Sequence, residues 1–208
     1  MAKAAFDDDA GWVEIPGFLT TTEVDEVVGQ CQLLLAAEQQ WPRDKVAAGT
    51  QHLESLDQRV AQVAEIVKRE PLPALVTQIV GSSAELFQAG LRCPNPGYGQ
   101  QSLHADSQRQ DGPHPADVAT AILTLTNFTS DNGATRVVPG SHRRVDLQRQ
   151  SGALTSHPNE VLLTGSAGTL FVFTGHLLHS GTQNRAGQPR PALQFLWRRT
   201  GSGPVTLR

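Results

Sequence analysis

The spacing of apolar residues changes character part-way along the chain. Near the N-terminus "GWVEIPGFLT" alternates apolar and polar positions and ends in turn formers, which predicts a short strand and a connection. In "TTTEVDEVVGQCQLLLAAEQQ" a threonine cap and first-turn acids precede Val24, Val27, Val28, Cys31, Leu34 and Leu35, which recur every three or four residues. That spacing predicts an amphipathic helix. Residues 41–53 are polar and irregular and predict a connection without regular structure. "LDQRVAQVAEIVKRE" and "LPALVTQIVGSS" return to helical spacing and stop at Pro71 and Gly81.

From "AELFQAGLRC" onward the runs are rich in β-branched and aromatic residues. "DVATAILTLTNFT", "GATRVVPGS", "VLLTGSAGTLFVFTG" and "RPALQFLWRRT" are separated by Gly, Pro, Asn and Asp, with Asn132 and Gly133 a hairpin signal. Helical support over residues 20–80 followed by strands over about 83–200 predicts an α+β, mainly β fold, a sandwich or barrel buttressed by N-terminal helices. A chain of 208 residues suits one domain. No internal repeat, heptad or low-complexity tract interrupts it.

Charge and composition narrow the partners. A net charge of -3 and a pI near 6.1 give no electrostatic reason to expect nucleic acid or an anionic membrane, and the short basic pairs at 143–144 and 198–199 do not change that. Phe171, Phe173, Phe195 and Trp197 alternate along two runs and read as barrel lining rather than a base-stacking platform. No apolar run approaches the roughly 20 residues that cross a bilayer. The first residues lack a signal peptide's apolar core, so a cytoplasmic location is expected. Cys31 and Cys93 fall in apolar patterns and read as buried free thiols.

The candidate chemistry begins in "QSLHADSQRQ". On an extended backbone residues i and i+2 project to the same face, so His104 and Asp106 can reach one point in space. Among seven histidines and twenty acids, that spacing alone fits a solvated loop pair equally well. In "GSAGTLFVFTGHLLHSGTQNRAGQPRPALQF" a turn, an apolar run, a histidine, a second turn and an arginine follow in sequence. His179 there would complete a set of two imidazoles and one carboxylate, the facial arrangement of non-haem Fe(II) oxygenases, which leaves neighbouring positions open for a chelating co-substrate and O2. Spacing does not separate His179 from His176 as the third ligand. Arg190 opens the next run, and its planar fork suits the remote end of a dicarboxylate whose keto-acid end chelates the metal.

Three blocks in this order, "HAD", "NFTSDNGATRVVPGSH" and "HSGTQNRAGQPR", resemble the phytanoyl-CoA dioxygenase family of Fe(II)- and 2-oxoglutarate-dependent oxygenases, and the likeness runs over residues 6–197. The resemblance implies a double-stranded β-helix, or cupin-like jelly roll. It implies that His104, Asp106 and His179, rather than His176, hold Fe(II), and that Arg190 binds the far carboxylate of 2-oxoglutarate. It also implies hydroxylation of an unactivated C–H bond of a small molecule, one of secondary metabolism, with O2 consumed and succinate and CO2 released. Where family members often carry a hydroxyl two positions after the distal histidine, this chain has Gly181, and Thr124 or Thr135 are the candidate substitutes. Asp106 argues against the related halogenases, which have a small residue there. Arg92 and Arg136 are candidate substrate-binding cations. His142 is expected to steady a turn, and His52, His114 and His157 to lie on the surface. Two rival readings are a cupin-like isomerase or hydrolase using Zn or Mn and a non-catalytic cupin-like binding protein; neither needs the Arg190 fork.

Overall fold

The computed structural model describes residues 5–38, 49–107, 116–144, 146, 152 and 154–201. Helix α1 (Thr21–Ala37) starts where Thr20 closes its N-terminus: the Thr20 hydroxyl accepts the Glu23 N–H and the Glu23 carboxylate accepts the Thr20 N–H. Val24, Val27 and Cys31 are buried along one stripe, with Val28, Leu34 and Leu35 packed beside them. The last two residues of the predicted helix, Gln39 and Gln40, lie outside the described residues.

The expected second helix is broken in two, α2 (Leu56–Arg59) and α3 (Ala61–Ile66). Val60 between them is extended at φ -130° and ψ 110°, and its side chain is buried with Leu56, Val63 and Ile66. A β-branched residue anchored in the core therefore turns the chain where periodicity predicted continuity. Helix α4 (Leu72–Val80) follows and buries Leu72, Leu75, Val76, Ile79 and Val80.

The strands form two antiparallel sheets. The larger one joins β1 (Trp12–Ile15), β2 (Thr50–Leu53), β3 (Ala84–Pro94), β4 (Val118–Thr124), β7 (Leu170–Thr174) and β9 (Ala192–Arg199) in the order β1-β7-β4-β9-β3-β2. The smaller one joins β5 (Thr135–Val137), β6 (Val161–Leu162) and β8 (His179–Gly181) in the order β6-β5-β8. Strand β2 lies in the stretch expected to be irregular, whose residues 41–48 fall outside the described ones. Its Thr50 and Leu53 are buried while Gln51 and His52 are partly exposed, and four residues at a sheet edge are too few for alternation to show.

Alternation along the long strands decides what faces the site. Ala89, Leu91 and Cys93 of β3, Ala119, Ala121 and Leu123 of β4, and Leu193, Phe195 and Trp197 of β9 point to the helices and form one core. Ile122, Phe171, Phe173 and Ala192 point the other way and join Phe128, Val137 and Leu163 in a second, inter-sheet core. Two facing antiparallel sheets with helices on the outer side of the larger one make the jelly roll that the resemblance implied. No helix among the described residues is long and apolar enough to cross a membrane.

Gly90 keeps the edge strand close, since a Cβ there would lie 2.6 Å from the Leu53 carbonyl oxygen. Gly90→Ala is expected to lower stability by about 1–3 kcal/mol through this overpacking. Urea unfolding checks it, and an unchanged midpoint would contradict the packing described.

Candidate metal centre

His104 and His179 are brought together by their backbones. The His104 N–H donates to the His179 carbonyl at 3.0 Å and the His179 N–H to the His104 carbonyl at 2.8 Å, a reciprocal antiparallel pair that extends the smaller sheet past β8. Such a pair sets both side chains on one face, and the ring centroids are 4.5 Å apart. Asp106 follows two residues after His104 and turns its carboxylate into the same space. Its Oδ1 lies 3.9 Å from His104 Nε2 and 3.6 Å from His179 Nε2, and one ligand atom from each of the three residues falls within 4.8 Å of the others.

The surroundings prepare these atoms for a cation. His104 Nδ1 lies 2.8 Å from the Ser102 carbonyl and His179 Nδ1 lies 2.9 Å from the Leu177 carbonyl. A carbonyl only accepts, so each Nδ1 carries the proton and each Nε2 keeps its lone pair for the centre. Burial, and then the neighbouring His179, hold the His104 imidazole below its ordinary pKa, in the neutral state a ligand needs. The other carboxylate oxygen, Asp106 Oδ2, accepts the hydroxyl hydrogen of Thr120 in a short bond. Phe173 backs the His179 ring with centroids 4.7 Å apart. Two imidazoles and a carboxylate with oriented donor atoms fit a divalent ion such as Fe(II).

These residues line a cavity of about 500 Å³ that also contains Arg92, Thr135, Gly181 and Arg190. Arg190 is 2% exposed, and its guanidinium carbon stacks 4.3 Å from the centre of the Phe128 ring. Its Nε has no hydrogen-bond partner, and it forms no ion pair with any described residue. Burial, reinforced by the positive charge of Arg92, pushes its pKa down to about 9, so it remains a cation at neutral pH. A buried cation without a counter-charge costs free energy that an anionic ligand would offset.

Other expectations fare differently. Thr135 lines the cavity directly opposite Gly181 in the β5–β8 register. At Gly181 a Cβ would lie 2.8 Å from the Gly99 carbonyl oxygen, which explains why that position carries no hydroxyl side chain. Thr124 is committed elsewhere: its hydroxyl donates to the carbonyls of Ser166 and Thr169 and accepts the Thr169 N–H, and it does not line the cavity. Arg136 is also a correction, because alternation along β5 turns it away from Thr135. Its guanidinium donates to Ser180 Oγ at 2.7 Å, the Thr155 carbonyl at 2.8 Å and Glu160 Oε2 at 3.1 Å, and it does not line the cavity. Arg92 does line it, donating to the Gly99 carbonyl at 3.3 Å.

Among the remaining histidines, His176 is buried but stands apart from the ligand group. His142 steadies its turn as expected, with Nε2 at 3.0 Å from the Asp8 carbonyl, and the half-buried His157 accepts the Asn159 N–H. His114 lies outside the described residues. His52 is not a surface residue: it is partly buried in the cavity wall opposite Arg92, and burial together with that cation pushes its pKa down to about 4. Sequence reasoning missed this residue and Thr120. Thr120 was within reach, since it shares inward parity with Ile122 on β4.

A cupin-like jelly roll with two histidines and one carboxylate gathered on its inner wall marks a recognised class of metal-site protein. Within that class the chain belongs to the phytanoyl-CoA dioxygenase family, whose sequence profile matches residues 8–192. An uncharacterised protein of Mycobacterium tuberculosis is 31% identical over 134 residues, which is 61% of this chain and 48% of the relative. The chain thus spans about half the length of that relative. The Fe(II)/2-oxoglutarate-dependent dioxygenase nvfF of Aspergillus novofumigatus is 31% identical over 206 residues, covering 88% of this chain and 66% of the relative. The crystal structure of HygX from Streptomyces hygroscopicus with nickel and 2-oxoglutarate bound has a similar fold, with a TM-score of 0.77 at 18% identity over 93% of this chain and 84% of that one.

Removing the hydroxyl that holds Asp106 tests the centre without touching a ligand atom. Thr120→Val should weaken Fe(II) binding about 10- to 100-fold, the usual effect of losing a group that orients a ligand. Anaerobic metal titration measures it, and undiminished affinity would show that Asp106 needs no such support.

Proposed function

We propose that the protein is an Fe(II)- and 2-oxoglutarate-dependent oxygenase that hydroxylates an unactivated C–H bond of a small molecule. The observation that carries this reading is the buried Arg190, unpaired among the described residues, in the same cavity as His104, Asp106 and His179. A metal-dependent isomerase or hydrolase, or an idle cupin-like binding protein, gives no reason to bury a guanidinium without a partner. The names of the fungal relative and of the HygX structure, with its bound 2-oxoglutarate, agree with this choice.

In this reading His104, Asp106 and His179 hold the ferrous ion. Fe(II) bound there, with 2-oxoglutarate and O2, supplies the oxidising chemistry that breaks the C–H bond while succinate and CO2 are released. The chain's own groups bind and orient. The Ser102 and Leu177 carbonyls fix the imidazole rings and Thr120 fixes the carboxylate. Arg190 forks onto the remote carboxylate of 2-oxoglutarate, and Thr135 offers a hydroxyl to the same group from across the glycine at position 181. Arg92 adds positive charge at that end. The apolar layer of Phe171, Phe173 and Ile122 restricts water behind the centre. A cytoplasmic location fits this activity, since Cys31 and Cys93 are free, buried thiols.

His179→Ala should abolish iron binding and succinate formation, whereas His176→Ala should retain both; the opposite pattern would transfer the ligand role to His176. Arg190→Ala should raise the KM for 2-oxoglutarate about tenfold to a hundredfold, corresponding to the roughly 1.5–3 kcal/mol of a charge-assisted hydrogen bond, and leave the substrate KM much less affected. Equal effects on both constants in steady-state assays would remove Arg190 from the assigned role.

A further inference from the structure

The cavity is electrically polarised from its closed end to its mouth. At the closed end Asp106, His179 and Arg190 are buried, with Arg92 beside them. At the open end the wall comes from β2 and the start of α2, where His52 is partly exposed, Glu54 is exposed and Asp57 is partly exposed. Neither acidic side chain forms an ion pair or hydrogen bond with a described residue. Arg59, at the end of α2, pairs with Glu38 and donates to the backbone carbonyl of Glu54 rather than to either of these carboxylates. Among the described residues the mouth is therefore negative while the interior is positive.

The larger sheet adds hydrogen-bonding capacity rather than an apolar channel. Gln88 on β3 and Gln194 on β9 both line the cavity, and neither side-chain amide is engaged by another described residue. Gln194 sits opposite Gly90 on one side and Ile122 on the other, so the space beside its amide is not filled from β3. A register shift between Leu86 and Gln88 in the β3–β9 pairing brings Phe87 into the wall as well, an apolar edge able to cover ring or methylene carbons. The neutral His52 imidazole can both donate and accept.

We propose that the substrate is a small amine-bearing molecule rich in hydroxyl or amide groups, its ammonium held at Glu54 and Asp57 and its polar groups at Gln88, Gln194 and His52. This rests on the reading above, in which iron and 2-oxoglutarate occupy the closed end. An acyl-CoA thioester is a poor match despite the family's name. Its phosphates would meet the two carboxylates at the mouth, and its acyl chain would meet two unpaired amides. Electrostatic complementarity at the mouth also concentrates a cationic substrate there and disfavours anionic competitors.

The test uses the protein loaded anaerobically with Fe(II) and 2-oxoglutarate. The visible absorption band of the iron–keto acid chelate is recorded first in the wild type; its absence would overturn the reading of the closed end and not that of the mouth. Calorimetric titration then compares glucosamine, N-acetylglucosamine, which keeps the ring but lacks the cation, and butyryl-CoA. Glucosamine should bind about five- to tenfold more tightly than its acetylated twin, the effect expected of one exposed and one partly exposed charge contact, and butyryl-CoA should not compete. In the Glu54→Gln, Asp57→Asn double variant the ratio of the two sugars should fall to near one, with circular dichroism confirming an unchanged fold. The proposal is overturned if no sugar binds in the millimolar range, if N-acetylglucosamine or butyryl-CoA binds as tightly as glucosamine, or if the preference survives in the folded double variant.

Discussion

The centre depends on the reciprocal backbone pairing of His104 with His179. These residues lie far apart in sequence, and no side-chain contact alone would hold two imidazoles in fixed relative orientation. A closed pair of peptide hydrogen bonds does so, because an antiparallel pair places both Cβ atoms on one side of the ladder. Asp106 follows at the bend two residues on, and Thr120 reaches it from β4 in the facing sheet. Each ligand is thereby positioned by backbone geometry first and by a hydrogen bond second, and both sheets contribute.

A second constraint is the charge of Arg190, which no described residue balances. Removing a guanidinium from water without a counter-ion is unfavourable, and the Phe128 face beneath it offsets only part of that cost. Folding tolerates this because the surrounding strands are anchored by cores on both faces of the larger sheet. The outer face of this sheet is thus given to packing, while its inner face shares packing with the cavity wall. Its outward residues are almost all apolar, while the inward positions of β3, β4 and β9 mix Gln88, Arg92, Thr120, Ile122 and Gln194.

How far the sequence carried the account follows from the range of the interactions involved. The helix-then-strand order was legible because it depends on local periodicity; the i, i+2 spacing of His104 and Asp106 was visible too, although the chain bends at Asp106 rather than running on as the strand that spacing assumed. The choice of His179 over His176 came from family resemblance, since the bridge to His104 that separates them is a tertiary contact. Arg136 misled because one position along β5 reverses the face it occupies, and only the pairing with Ser180 fixes that register. Thr124 misled for a different reason: its hydroxyl is taken by the Ser166 and Thr169 backbone. His52 and strand β2 were hidden because a four-residue edge strand with two polar side chains carries no periodic signal. The break at Val60 depends on where its side chain is anchored in the core, which spacing does not report.

The most direct test is anomalous diffraction at the iron edge from crystals grown anaerobically with Fe(II) and 2-oxoglutarate. The account predicts one iron peak between His104 Nε2, Asp106 Oδ1 and His179 Nε2, with keto-acid density extending from it to the Arg190 guanidinium. A peak at another site, or a keto acid whose far carboxylate points away from Arg190, would contradict it.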